Sequence, residues 1–309
     1  MWQLSSGVFL GWSLGANDAA NVFGPAVASR MVRFGTSAAL CSIFVVAGAL
    51  LQGSQGMHTY QELSPIGSLN VAFIVSLAAA ATVTLMTLWG LPVSTSQSVV
   101  GSLLLVGLMT GNLQTEPLIK VLICWVSTPV GAMIASASLY LLLGKAMNKL
   151  DMDIFSYDRN LKTALVLAGS YGAYALGANN VANVTGAFVG ENMLTPFWAC
   201  LIGSLAISLG VITYSRNVMM TVGRGLVKLD AFSAFIVVLS KALTVHIFAW
   251  IGVPVSTSQA IVGAVLGIGL VKGVKTVDRR VLWRILFGWI GTPAVSFILA
   301  AILYYVFLH

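Results

Sequence analysis

Apolar runs of membrane-crossing length follow one another from one end of the chain to the other, and charge is confined to the short gaps between them. No other feature restricts the fold as strongly. A bilayer offers no water to unpaired N–H and C=O groups, so such runs close their hydrogen bonds internally, as helices. Composition agrees: 58% of the 309 residues are hydrophobic and 8% charged, the latter about a third of the share in a soluble domain. The chain therefore reads as an all-α polytopic membrane protein, one membrane domain overall, with no separate water-soluble domain. Its 31 glycines suit close helix packing and close approach of backbone to a ligand. Cys41, Cys124 and Cys200 lie inside apolar runs without a CxxC spacing and read as small core hydrophobes. The first run contains Asp18 and no basic leader, the mark of a mature segment and not of a cleaved signal peptide.

Bounding the runs by charge, proline or glycine gives ten segments, at 4–29, 36–57, 68–90, 92–111, 116–144, 161–189, 195–214, 231–251, 254–271 and 282–307. If all ten cross, fourteen of the sixteen Lys and Arg residues fall in the loops of one face, from Arg30 and Arg33 to Arg280 and Arg284. The exceptions are Lys120, at a segment edge on the other side, and Lys241, in the middle of a segment. The positive-inside rule makes the basic face cytoplasmic, which puts a multi-pass chain in the plasma (cytoplasmic) membrane with both termini outside. The net charge of +7 is then a topology signal, and nucleic acid is excluded as a partner.

The chain also repeats itself. Gly15-Ala16-Asn17-Asp18-Ala19-Ala20-Asn21-Val22 is answered by Gly177-Ala178-Asn179-Asn180-Val181-Ala182-Asn183-Val184, an offset of 162 residues. Leu91-Pro92-Val93-Ser94-Thr95-Ser96-Gln97 is answered by Val253-Pro254-Val255-Ser256-Thr257-Ser258-Gln259 at the same offset. A third echo, Trp125 with Thr128-Pro129 against Trp289 with Thr292-Pro293, shifts by two residues more. About five membrane segments in each half is an odd number, so the second half enters from the opposite side. Two inverted repeats are predicted, 1–150 and 161–309, joined by a cytoplasmic linker at 151–160. Broken or re-entrant helices are expected at the midplane, where such architectures place a substrate.

Pro followed by Ser-Thr-Ser opens a helix and caps its free amides. A helix start inside the membrane, with exposed N–H groups and a positive dipole end, suits an anion. Two copies, Ser94 to Gln97 and Ser256 to Gln259, would face one oxyanion from both halves. In the other motif Asp18 is the sole acid inside any segment, and a buried carboxylate in a membrane is a functional candidate by default. With Asn17, Asn21, Asn179, Asn180 and Asn183 it offers the oxygen atoms a small hard cation such as sodium wants, Asn17, Asp18, Asn21, Asn179 and Asn183 being the candidate ligands. Lys241 lies too deep to reach either surface, and its first-half counterpart is Ala79. Its ammonium could stand where a coupling cation would bind, pair with Asp18, or attract the anion. His246 reads as a satisfied core histidine, and Glu62, Glu116 and Glu191 as solvated loop acids. An intramembrane hydrolase is excluded, since no Gly-x-Ser-x-Gly or acid partner accompanies the serines.

These paired motifs resemble those of the PiT family of inorganic phosphate transporters, over both halves of the chain. The resemblance implies no enzyme but a secondary active symporter, a homodimer in the cell inner membrane, importing phosphate with sodium or protons and needing no cofactor. By matching position it implies substrate contacts at Asp18, Ser94, Thr95, Ser96, Gln97, Asn180, Ser256, Thr257, Ser258 and Gln259. Coupling then falls to Asn17, Asp18, Asn21, Asn179, Asn180, Asn183 and Lys241. Two departures stand out: Asn180 sits where family members often have Asp, and Val45 and Val238 sit where eukaryotic relatives carry Glu. A sulfate or similar tetrahedral oxyanion symporter is the alternative, and an anion channel a lesser one. Hydrogen phosphate has a proton to donate and sulfate has none, so an acceptor such as Asp18 favours phosphate.

Overall fold

The computed structural model describes residues 2–28, 30–88, 93–149, 153–190, 193–216, 218–219, 229–273 and 279–308. Leu91, Pro92, Glu191 and part of the 151–160 linker, all named above, lie outside the described residues, as do Arg224, Lys228 and Lys275 of the basic loops. Twelve α-helices appear among them: α1 Leu4–Asp18, α2 Ala20–Ala28, α3 Phe34–Gln52, α4 Ser54–Leu63, α5 Leu69–Leu88, α6 Thr95–Thr110, α7 Thr115–Asn148, α8 Ile154–Thr185, α9 Pro196–Thr213, α10 Ala231–Ile251, α11 Thr257–Lys272 and α12 Arg279–Leu308. No strand occurs among the described residues, only an isolated bridge between Val189 and Leu194.

Among the described residues six helices are long and apolar enough to cross a membrane, within α3, α5, α7, α9, α10 and α12. By contrast α6 and α11 have sixteen residues each, about 24 Å of rise against a hydrocarbon core of about 30 Å. They start inside the protein. Ten full crossings are therefore more than the helix lengths supply. The first apolar run breaks at Ala19, between α1 and α2, and the second breaks at Gly53, where α4 turns off. The polar helix α4 lies partly in what reads as a loop, and α7 and α8 run into the charged linker from either side.

The helices with matching sequence also match in detail. In α6 Ser94 is the N-cap and its Oγ accepts from the Gln97 N–H, with Gly111 closing the helix at φ 69°. In α11 Ser256 accepts from the Gln259 N–H, with Gly273 closing it at φ 65°. Packing between the halves is reciprocal: α1 lies on α9 and α3 on α8, while α6 lies on α12 and α11 on α7. A Cβ at Gly15 would overlap the Ile207 carbonyl, and one at Gly177 the Val45 carbonyl, each pair being the other shifted by the repeat offset. Likewise Gly101 of α6 meets the Pro293 carbonyl, and Gly263 of α11 meets that of Pro129. The third sequence echo thus marks where the last helix of each half receives the short helix of the other. In both echoes the threonine before the proline returns its hydroxyl to the backbone, Thr128 to Cys124 and Thr292 to Gly288, which satisfies a buried hydroxyl within its own helix.

At the basic side Asp230 caps α10. It accepts from the Ser233 N–H and hydroxyl at 2.9 Å each, and from Lys272 at the end of α11. Lys272 also sits 5.6 Å from the Tyr140 ring centroid. Partial burial raises the Asp230 carboxyl, but the bonds from Lys272 and Ser233 together outweigh it and hold it below its ordinary 3.8. Because the folded value is the lower one, this support is fully present above the ordinary 3.8 and is lost as pH falls through the lower, folded value. With about half of the side chain exposed, Asp230→Asn is expected to cost about 0.5–1 kcal/mol. A melting curve at pH 7 against pH 3.5 checks this: the advantage of the wild type over the variant should be smaller at the lower pH.

Candidate functional site

The two helix starts meet. Ser96 donates through its hydroxyl to the Val255 carbonyl at 3.0 Å, and Ser258 donates to the Val93 carbonyl at 2.9 Å. Each bond is the other displaced by the repeat offset, so the short extended stretches before α6 and α11 are stitched together head to head. Val93 and Val255 lie in one apolar core with Tyr60, Met57, Val181 and Ala182. With the capping bonds made, the N–H groups of Thr95, Ser96, Thr257 and Ser258 have no helical partner. Two positive helix ends therefore face a shared interior.

The Asn-rich motif surrounds them. Asp18 ends α1 and is buried, and its carboxylate accepts from the Thr257 hydroxyl at 2.9 Å. Asn179 clamps the stretch before α11, donating to the Val255 carbonyl at 2.9 Å and accepting from its N–H at 3.0 Å. Asn183 donates to Asn180 at 2.7 Å and to Ser96 at 3.2 Å, and accepts from the Tyr60 hydroxyl. Three buried polar atoms are left without a partner here: Gln97 Oε1, Gln259 Oε1 and Asn180 Nδ2. Unsatisfied buried groups cost about 1–3 kcal/mol each, so their presence in motif residues on both sides points to a guest that completes them.

Not every predicted residue takes the same part. Asn17 is half-buried and donates to Thr87 of α5 at 3.0 Å instead of gripping a helix start. Asn21 presents its backbone carbonyl to the Lys241 ammonium at 3.4 Å. Lys241 is only 1% exposed. His246 is bonded on both ring nitrogens, to Tyr171 at 2.6 Å and to Gln52 at 2.7 Å, as a satisfied core histidine should be. The three cysteines are buried and free, and Glu62 and Glu116 are exposed.

Sequence reasoning missed α4. Its Tyr60 reaches Asn183, and its Thr59 donates to the Gly252 carbonyl at 2.6 Å just before the second helix start. The available signal was a polar stretch, Ser54 to Glu62, too rich in Gln, His and Tyr to be only a connecting loop.

A family model described as the phosphate transporter family matches the chain twice, over residues 14–157 and 152–300. The chain belongs to the phosphate transporter family. This family is one of transporters and not of enzymes, and its member here is a multi-pass membrane protein. A protein of Methanocaldococcus jannaschii provisionally named a phosphate permease is 32% identical over 302 residues, covering 97% of this chain and 95% of its own length. The sulfate permease CysP of Bacillus subtilis is 27% identical over 308 residues, with 97% and 86% covered. A solved structure titled the sodium-dependent phosphate transporter superposes with a TM-score of 0.87 at 26% identity, covering 99% of both chains.

Proposed function

We propose that this family member is a secondary active symporter that imports inorganic phosphate together with sodium or protons. One observation carries the substrate site: the Ser94–Gln97 and Ser256–Gln259 helix starts, joined by the Ser96–Val255 and Ser258–Val93 bonds, enclose the partnerless atoms of Gln97, Gln259 and Asn180. The two Gln oxygens and Asp18 are acceptors, and a hydrogen phosphate supplies the O–H they call for, which sulfate lacks. The solved phosphate transporter likeness supports the same anion, and the sulfate permease likeness keeps sulfate as the second reading.

Importing a dianion against an inside-negative potential costs about 4.6 kcal/mol per 100 mV, so cotransported cations must supply it. The sodium-dependent structural relative favours sodium as that ion. Halves at 1–150 and 161–309, related by a pseudo-two-fold axis in the membrane plane, fit the reciprocal contacts of Gly15 with Ile207 and Gly177 with Val45. In this arrangement the basic face is cytoplasmic, both termini lie outside, and the working unit is a homodimer in the plasma membrane.

Uptake of external labelled phosphate or labelled sulfate into proteoliposomes, with and without sodium and pH gradients, tests the proposal. Phosphate should accumulate above equilibrium when a cation gradient is imposed. Equilibration without accumulation would make the protein a channel, and preferential sulfate accumulation would reassign the anion. Replacing Thr95 or Thr257 by Val should weaken phosphate affinity about tenfold, the worth of a hydrogen bond to a charged group. Unchanged affinity in both variants would remove the helix starts from the site.

A further inference from the structure

Lys241 is among the largest fully buried side chains of the protein, and its place in the repeat is informative. The position equivalent to Asp18 in the other half is Asn180, and the position equivalent to Lys241 is Ala79. One half therefore contributes a carboxylate where the other has an amide, and one contributes an ammonium where the other has a methyl group. Of the two equivalent pairs, Asp18 with Lys241 carries both charges and Asn180 with Ala79 carries neither. They are also neighbours: Lys241 on α10 donates to the carbonyl of Asn21, one turn past Asp18, and the ammonium and carboxylate attract each other. They do not form a direct ion pair, the Asp18 carboxylate being held by Thr257.

A carboxylate buried at membrane depth needs a cation, either a bound ion or a tethered one. Here the second kind is built into the chain, on the Asn21 carbonyl one turn past Asp18.

We infer that the Lys241 ammonium is a tethered replacement for a metal cation beside Asp18, so that this half of the site stays charge-balanced without binding sodium there. The inference goes beyond the proposed function, since it assigns which cation position is permanently filled and holds for phosphate or sulfate alike. Any coupling sodium then binds elsewhere, and the Asp18 position contributes none to the stoichiometry.

Purified full-length protein in detergent, without any anion substrate, provides the test through its melting temperature in sodium chloride against choline chloride. Lys241→Ala and Asp18→Asn each leave one buried charge alone and should each lower the melting temperature in choline by about 5 °C or more. Asp18→Asn combined with Lys241→Ala copies the neutral Asn180 and Ala79 arrangement and should recover most of that loss. Sodium should raise the melting temperature of Lys241→Ala more than that of the wild type, because the ion takes the vacated place. The excess should vanish in the double variant. A Lys241→Ala protein that folds only in sodium supports the inference equally. A double variant no more stable than the worse single variant, or equal sodium shifts in Lys241→Ala and the wild type, would overturn it. Because no anion enters the assay, failure here is separable from failure of the phosphate reading, which the uptake experiment decides.

Discussion

Asp18→Asn is expected to abolish concentrative phosphate uptake, with a fall of at least about 100-fold in initial rate. Three consequences add up in this one change. The acceptor of the Thr257 hydroxyl loses its charge, in a bond that ties α1 of the first half to the start of α11 in the second. The Lys241 ammonium, 1% exposed, loses the opposite charge that attracts it, and stranding a buried charge costs about 3–5 kcal/mol. Under the proposed function an acceptor for the phosphate proton is weakened as well. The measurement is counterflow and gradient-driven uptake in proteoliposomes, with reconstituted protein quantified on the same samples. Normal accumulation by this variant would take Asp18 out of the mechanism.

The second large effect concerns assembly. Gly177→Val is expected to prevent stable folding, lowering the melting temperature by about 5–10 °C if the protein can be purified at all. The reason is backbone against backbone: any Cβ at Gly177 would fall on the Val45 carbonyl, and the symmetry-related Gly15 has the same relation to Ile207. A flexible side chain could move aside, whereas a helical carbonyl can yield only if α3 moves away from α8. Fluorescence-detected size exclusion after a temperature ramp reads the result. A Gly177→Val protein as stable as the wild type would mean that α3 and α8 are not in contact as described.

Much of this was legible in the sequence because the repeat writes the same instruction twice. Ser94 and Ser256 cap their helices as the Pro-Val-Ser-Thr-Ser-Gln motif predicts, down to the bond to the third residue on. Asp18 stood out as an acid in an apolar run, which is a local property. Its partner did not: Thr257 lies 239 residues away, and no local pattern couples two such positions. Tyr60 was hidden for a different reason. It lies on a short helix too polar to read as a membrane segment, and Val222 stands at the equivalent position of the second half. The motif also over-promised symmetry. Asn17 and Asn179 are equivalent by sequence, yet Asn179 clamps Val255 while Asn17 turns to Thr87, a hydroxyl the second half lacks at the matching position, where Ala249 stands. Sequence identity between repeats thus marked the residues that the fold brings together, and differences in neighbouring side chains decide which hydrogen bonds each copy makes.

The most direct test is a structure of the protein with arsenate, a heavier tetrahedral analogue of phosphate, located by its anomalous signal. One arsenic peak should appear between Ser94–Gln97 and Ser256–Gln259, with donors from both helix starts around it. A peak contacted by one helix start alone, or lying away from both, would contradict the convergence of the two halves on a single anion.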